Sequence, residues 1–418
     1  MIVSLLLVAS CLAQPAAPSA EDTAVRLQVR RLIRDLDHRE LTERIAAENK
    51  LIAMGVSVLP LLPPVTPRST AEIKERLSRV RKTLENLSAE EAARTSVVTL
   101  KGEMSLIEAM QALAQQTGNQ AAGYENYDGM VTVDFEETPY WEALDKILDQ
   151  LQLTLNPYGG DGDKIHVRSR PEEELPRFGQ ASYNGIYRIE PTRIDAVRDL
   201  RNPQISGLKV GVKIEWEPRI EPIVITQPMA DLSVVTDTGE QLAAGDNTLS
   251  ALVQTDIPAV ELTLPLQLPP RTASRIAELK GKLHTLVPGR LETFQFSGLE
   301  NARNVEQQRG GVTVTLERLQ ANGQLWGARV LVRFDEAANA LESHRNWIFG
   351  NPAYMLDAAG ERVDYAALET VRQGESEVGI EYYFDLEKGP ADCTLIYQTP
   401  AAIIKREVEY SLKEIQLP

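Results

Sequence analysis

Cysteine is scarce in this chain: only Cys11 and Cys393 occur in 418 residues. Cys11 lies in a leader-like start, so Cys393 has no intrachain partner and the fold does not depend on a disulfide. Histidine is scarce too. His38, His166, His284 and His344 stand far apart, with no His-Glu-x-x-His, which argues against zinc at its usual spacings. Neither a Gly-x-Ser-x-Gly elbow nor a glycine-rich phosphate loop occurs. Positive charge is in deficit, 44 Lys and Arg against 60 Asp and Glu, a net −16. Such a surface repels phosphate backbones, so nucleic acid is not an expected partner, and it offers no polybasic patch for anionic lipid. After the first residues no apolar run reaches the length of a membrane span.

The start of the chain carries the first positive signal. Ile2 to Leu12 is an uncharged, mostly apolar run, followed by the small-residue stretch Ala13 to Ala20. The run has the length of a signal-peptide core, so residues 1–20 read as a signal peptide and linker. No Lys or Arg precedes it; either translation begins upstream or the free amino terminus supplies the charge. Val8-Ala9-Ser10-Cys11 resembles the lipoprotein cleavage box, with Val8 where Leu is usual, and marks Cys11 as a lipidation candidate. Cleavage after Ala13 is the competing reading and would discard Cys11. Either way the chain is expected to be exported, to the periplasm or cell envelope; a lipid on Cys11, where that residue is retained, is the only membrane attachment expected.

Residues 22–92 read as helices. Val25, Val29, Leu32, Ile33 and Leu36 share one helical face, and Leu41, Ile45 and Ile52 another that ends at Gly55. Ser69-Thr70-Ala71-Glu72 reads as a capping box opening a third stripe, Ile73, Leu77, Val80, Leu84 and Leu87. The segment resembles a single HEAT-like unit; a helical cap and a short coiled coil are the other readings.

Residues 95–170 carry an internal repeat. Strand Ser96 to Leu100 leads to an amphipathic helix from Ser105 to Ala114, stopped near Gly118. Strand Met130 to Phe135 leads to a second helix opened by Pro139. Lys164 to Val167 closes the segment. Glu108-Ala109-Met110 is repeated as Glu142-Ala143-Leu144. With Leu113, Thr117, Gly118 and Leu148 in place, the segment resembles the short N-terminal domain of secretins and TonB receptors, although Gln150-Leu151-Gln152-Leu153 lacks the second Thr-Gly. The resemblance implies a βαββαβ fold and a periplasmic protein-interaction module with no catalytic role. It covers this segment only, since neither a secretin pore nor a receptor barrel follows.

From 171 onward short alternating strands dominate. Lys209 to Trp216, Ala259 to Leu264 and Val312 to Leu316 are examples, divided by turns such as Asp237-Thr238-Gly239. These predict two β-sandwich-like domains, 176–300 and 301–418. The expected fold class is therefore multidomain α+β: helical hairpins, the secretin-type domain, then two all-β domains. The whole resembles exported bacterial proteins of the same four-part order, a resemblance that brings no activity with it.

Few residues suggest chemistry. Ser343, His344 and Trp347 form the polar cluster nearest to a site, which reads more simply as a hydrogen-bonded loop fixing the Trp. Asp161-Gly162-Asp163 has oxygen ligands for Ca²⁺ but reads better as a hairpin turn. Cys393 sits in a strand-like run and reads as a buried, inert thiol. Trp216, Trp326 and Trp347 would suit either core packing or a sugar platform. No cofactor or metal is implied, and no catalytic residue is assigned. The sequence points to a non-catalytic envelope protein with a protein partner. The alternatives are a carbohydrate-binding protein and a hydrolase with a site between the β domains.

Overall fold

The computed structural model describes residues 20–63, 69–159, 164–202, 205–253, 257–334, 345–374, 377–386 and 389–418. It divides the chain into two compact units, one through Leu87 and one from Ser88 onward. The architecture is mixed α+β with several separate sheets.

The first unit is helical. α1 (Ala20–Asp35) and α2 (Leu41–Ala53) are followed by a 3₁₀ turn, Val56–Leu61, and by α3 (Ala71–Ala92). Gly55 leaves α2 at φ 78°, a conformation that only glycine adopts without strain. Thr70 caps α3, its Oγ1 accepting the Ile73 N–H at 3.3 Å. The centres of the stripes predicted for α1 and α3 meet in one core, Val29, Leu32 and Leu36 against Leu77, Val80 and Leu84. α2 departs from its predicted stripe: Leu41 and Ile45 are exposed, and Ala47 and Leu51 supply its buried face. Beside this core Glu48 accepts from Arg76 at 2.7 Å and Arg79 at 2.9 Å.

The second unit begins with the repeated segment. β1 (Val97–Ser105), α4 (Leu106–Thr117) and β2 (Gln120–Ala122) form the first strand-helix-strand copy. β3 (Met130–Pro139), α5 (Tyr140–Gln150) and β4 (Leu153–Asn156) form the second, and β5 (Lys164–Ser169) closes it. The segment thus has one strand more than expected, because the four-residue β4 is too short to stand out from the helix end before it. β1 and β3 make an antiparallel two-stranded sheet; β2, β5 and β4 make a separate three-stranded one. Ala109, Leu113, Ala143, Leu144, Ile147 and Val133 are among the residues that fill the core. Ser105 and Glu108 form the full capping box of α4. The equivalent residue before α5 is Pro139, which has no N–H to offer, and there Glu142 pairs with Lys146 instead.

The first β body follows. β6 (Ser182–Asn184), β7 (Tyr187–Val197) and β8 (Gly207–Trp216) join β12 (Ala259–Leu266) in one sheet. β9 (Val224–Pro228), β10 (Ser233–Thr236), β11 (Thr248–Leu252) and β13 (Arg275–Val287) form the other. The second β body contains β14 (Arg290–Phe296), β15 (Arg303–Arg309), β16 (Val312–Asn322), β17 (Leu325–Phe334), β18 (Ala353–Leu356), β19 (Arg362–Gln373), β20 (Glu377–Phe384) and β21 (Thr394–Ala401). These eight make one sheet, ordered β14-β21-β18-β19-β20-β17-β16-β15. Its end strands meet, with Gln307 donating to the Gln295 carbonyl at 2.6 Å and Arg309 to that of Thr293 at 2.9 Å. The second body is therefore a single sheet curled around its core, whereas two facing sheets were expected.

The last strand, β22 (Ile404–Gln416), does not belong to the second body. It returns to the first and pairs with β13 from Arg275↔Gln416 to Val287↔Ile404. Val408, Tyr410 and Leu412 complete the first body's core, beside Trp216, Ile214 and Leu279. The cores divide differently from the cut predicted near 300. The second body's core runs from Phe294 to Ala401 and is inserted between β13 and β22. Pairing continues across the junction, since β14 lies against β21 with Arg290 opposite Ala401. One antiparallel ribbon, β13-β14 against β21-β22, thus passes through both bodies. At the junction Gly289 lies against Ala89 so closely that a β-carbon would stand 2.5 Å from that methyl group.

Candidate functional surfaces

The most concentrated chemistry in the second unit is a buried charge cluster. Asp145 lies on the inner face of α5 and is fully enclosed. One of its oxygens accepts Arg177 Nε at 2.7 Å; the other accepts Arg188 Nε and the Tyr183 hydroxyl, each at 2.7 Å. The register of β7 and β8 sets Arg188 beside Glu215 and Glu190 beside Lys213. Arg188 accordingly donates to Glu215 at 2.8 Å, and Lys213 stands 2.6 Å from Glu190. Burial alone would raise the Glu215 carboxyl, but the facing Arg177, Lys213 and Arg188 outweigh it and bring its pKa down to about 2.

The same helix makes further connections. Asp149, one turn after Asp145, pairs with Arg170 and accepts the backbone N–H groups of Arg177 and Phe178, each at 2.8 Å. Trp141 Nε1 donates to the Ile186 carbonyl at 2.9 Å. A second node forms around buried Glu217. Ser96 N–H and hydroxyl donate to it at 3.0 and 2.6 Å, Asn119 at 3.0 Å and Arg219 at 2.6 Å. Arg219 also donates to the carbonyls of Ala92 and Arg94. A carboxylate has about four acceptor positions. At Asp145 and Glu217 protein donors occupy most of them, so these groups act as clasps between the repeated segment and the first β body.

The edges of the two-stranded sheet are closed by a device that repeats with the sequence. The Gln116 amide at the end of α4 accepts the Thr99 N–H at 2.9 Å and donates to the Thr99 carbonyl at 3.1 Å. The Gln150 amide at the end of α5 does the same at Thr132, at 2.9 and 3.2 Å. Each glutamine thus stands in for a neighbouring strand. The pairing of β1 with β3 is also irregular at Thr99, where the register shifts between Val98 and Leu100. Such devices blunt edge-to-edge pairing, so what this sheet presents is its solvent face. Val97, Lys101 and Glu103 from β1 and Met130 and Asp134 from β3 are exposed there, with Lys101 paired to Asp134 at 3.0 Å.

Two cavities flank Asn184 at the seam where β6 meets β22. One, of about 440 Å³, is lined by Ser182, Tyr183, Lys280, Lys282, Glu409 and others. The other, of about 250 Å³, lies toward Arg94, Tyr187 and Arg406. Asn184 crosses the seam to the Glu409 carbonyl at 2.8 Å, and Ser182 Oγ accepts the Ser411 N–H at 3.3 Å.

The residues singled out from sequence are scattered. Cys11, Asp161, Asp163, Ser343 and His344 lie outside the described residues, as does the side chain of Trp347. Cys393 is buried, its thiol pushed up by burial and by nearby Asp357 and Asp392. His38 is exposed and accepts the Glu40 N–H, His166 is half-buried on β5, and His284 is 3.0 Å from Asp231. Trp216 is in the first core and Trp326 packs half-buried against the second, so Trp216 is not available to a ligand. Among the described residues no group of three or more His, Cys, Asp or Glu is placed to hold a metal, and no helix is long and apolar enough to cross a membrane. The charge cluster was not anticipated. Its signal was present as charged residues at inward positions of apolar runs, such as Arg188 in Ile186-Tyr187-Arg188-Ile189. No family model matches the chain, and neither a curated protein nor a solved structure matches it.

Proposed function

We propose that this chain is a non-catalytic, exported cell-envelope protein that mediates protein–protein interaction or scaffolding. In this reading residues 22–92 are a HEAT-like helical module, and 95–170 a secretin-type interaction module. The two β bodies, the first sandwich-like, carry it. The observation that carries the reading is the solvent face of the β1–β3 sheet. It offers Val97 and Met130 among the charges of Lys101, Glu103 and Asp134, while the opposite face is fastened down through α5 and its buried carboxylates. The register sets Val97 opposite Pro139 and Met130 opposite Ser105, at the two ends of the sheet, with the Lys101–Asp134 pair between them; apolar contacts on either side of a charged row are a mixed surface that a protein partner of matching charge can complement. Export rests on the leader-like residues 1–20.

The test is capture of partners from the envelope fraction by the full-length protein beside its Met130→Asp/Lys101→Glu variant. Point variants are preferable to deleting 95–170, which would strip Asp145 from Arg177 and Arg188 and unsettle the first β body. A partner held by the wild type and lost by the variant supports the reading. Equal capture by both, or none by either, removes the sheet face as the binding surface.

A further inference from the structure

Among the described residues the most exposed large apolar one is Leu200, 92% exposed, in the β7–β8 connection. Ile205 and Val197 beside it are 63% and 53% exposed. Exposed apolar side chains occur singly on any protein. Here three branched aliphatics share one tip, and the tip is held in shape. Asp199 Oδ1 accepts the N–H groups of Arg201 and Asn202 at 2.8 and 2.6 Å. Ser206 Oγ accepts the Asp199 N–H at 2.9 Å, and the Ile205 N–H reaches the Asn202 carbonyl at 3.1 Å. Arg198 ties the tip to the next loop through the Pro269 carbonyl at 3.2 Å. That loop carries exposed Arg271.

The net charge predicts no basic patch for anionic lipid, but the local charge at this tip is opposite to that of the whole chain. Arg198 and Arg201 share the hairpin end with the aliphatics, Arg271 lies on the adjoining loop that Arg198 contacts, and the one acid of residues 198–202 and 205–206, Asp199, is engaged in the turn. Over the whole chain acids exceed bases by 16. Beyond a screening length of about 8 Å at physiological salt, the remaining charge matters little to a surface touching the tip.

We propose that the β7–β8 hairpin tip contacts an anionic lipid surface, with Leu200, Ile205 and Val197 entering the headgroup–acyl boundary and Arg198, Arg201 and Arg271 meeting lipid phosphates. Aliphatic side chains flanked by arginine are the combination that suits this interface. This membrane contact is independent of the sheet face assigned above to a protein partner.

Co-sedimentation of the protein with vesicles tests it. Equal parts phosphatidylglycerol and phosphatidylcholine are compared with phosphatidylcholine alone. The protein is expected to sediment with the anionic vesicles and to be released as salt rises from about 0.05 M to about 0.5 M. Leu200→Ser/Ile205→Ser should weaken binding at least about tenfold, and Arg201→Gln/Arg271→Gln should weaken binding to anionic vesicles only. All variants should keep the wild-type unfolding midpoint, because these side chains are exposed. Failure of the wild type to sediment with anionic vesicles overturns the proposal. So does sedimentation that Leu200→Ser/Ile205→Ser leaves unchanged, which would place any membrane contact elsewhere.

Discussion

Replacing Asp145 by Asn removes the carboxylate shared by two buried guanidinium groups. The wild-type oxygens accept three bonds of 2.7 Å, from Arg177, Arg188 and Tyr183. Around them Asp145, Glu190 and Glu215 balance Arg177, Arg188 and Lys213. Asn keeps the shape but turns an NH₂ toward a guanidinium donor and leaves one positive charge uncompensated. Breaking a buried pair from one side costs about 3–5 kcal/mol. In its better orientation the amide oxygen keeps two of the three bonds, those from Arg188 and Tyr183, so the lost bond to Arg177 accounts for about 1.5–3 kcal/mol and the uncompensated charge for the rest. The total is a large part of the roughly 5–15 kcal/mol that stabilises an ordinary domain. Urea unfolding followed by far-ultraviolet circular dichroism should show a lower midpoint with the slope unchanged. Arg177→Met in the Asp145→Asn background restores the charge balance. Its added cost should therefore be smaller than in the wild type, a coupling of at least about 1 kcal/mol. A loss below about 1 kcal/mol for Asp145→Asn, or strict additivity in the cycle, would refute the clasp.

Two further predictions follow from the same unit. The Glu215 carboxyl lies at about 2, below an ordinary 4.5, because Arg177, Lys213 and Arg188 outweigh its burial. A depressed carboxylate stabilises the folded state fully above pH 4.5 and loses that contribution as pH falls toward 2, here on the order of 3 kcal/mol. Urea midpoints at stepped pH should drop across this window, and Glu215→Gln should flatten the drop while lowering stability at neutral pH. Gln116→Ala and Gln150→Ala each remove two bonds from an exposed strand edge, at a cost of about 1 kcal/mol each. Amide hydrogen exchange should quicken at Thr99 in the first variant and at Thr132 in the second; unchanged protection at both would mean that the glutamines do not close the edges.

What could be read in the sequence was what lies within a few residues. The stripe of Leu77, Val80 and Leu84 placed α3, and alternation placed β8 and β12, because one buried face imposes its period locally. The mixed α+β class followed from those elements. β2 and β4 escaped because three or four residues carry too little pattern. The split near 300 was misplaced for a different reason. The polar stretch there is only the approach to the edge strand β15, whereas the true closure is β22 on β13, made by residues far apart in the chain. The charge cluster was hidden in the same way. Asp145, Arg188 and Glu215 each look like an ordinary surface charge until α5, β7 and β8 are brought together. The 34-residue repeat was visible as Glu-Ala-Met and Glu-Ala-Leu, yet its physical expression is the pair Gln116 and Gln150, which no local pattern marks.

The inserted second body makes the two β bodies interdependent. Val287 and Ile404 face each other across the ribbon but are roughly 120 residues apart along the chain, a loop whose closure is entropically costly. When the second body is folded, β14 already lies against β21 and holds Arg290 opposite Ala401. Only a few residues on each strand then separate that pair from Val287 and Ile404. Shortening the effective loop from roughly 120 residues to a handful lowers the closure cost by about 3 kcal/mol. The gain is available only if the ribbon passes the junction without a break, and the packing there serves that end. Gly289 N–H donates to the Ala401 and Ala402 carbonyls, each at 3.1 Å, and Ala402 donates to Gly310 at 2.8 Å. Gly289 itself lies where a side chain would strike Ala89. A chain ending near residue 300 would therefore not be a shorter form of the first body. It would lack β22, Val408, Tyr410 and Leu412, and with them one wall of the first core.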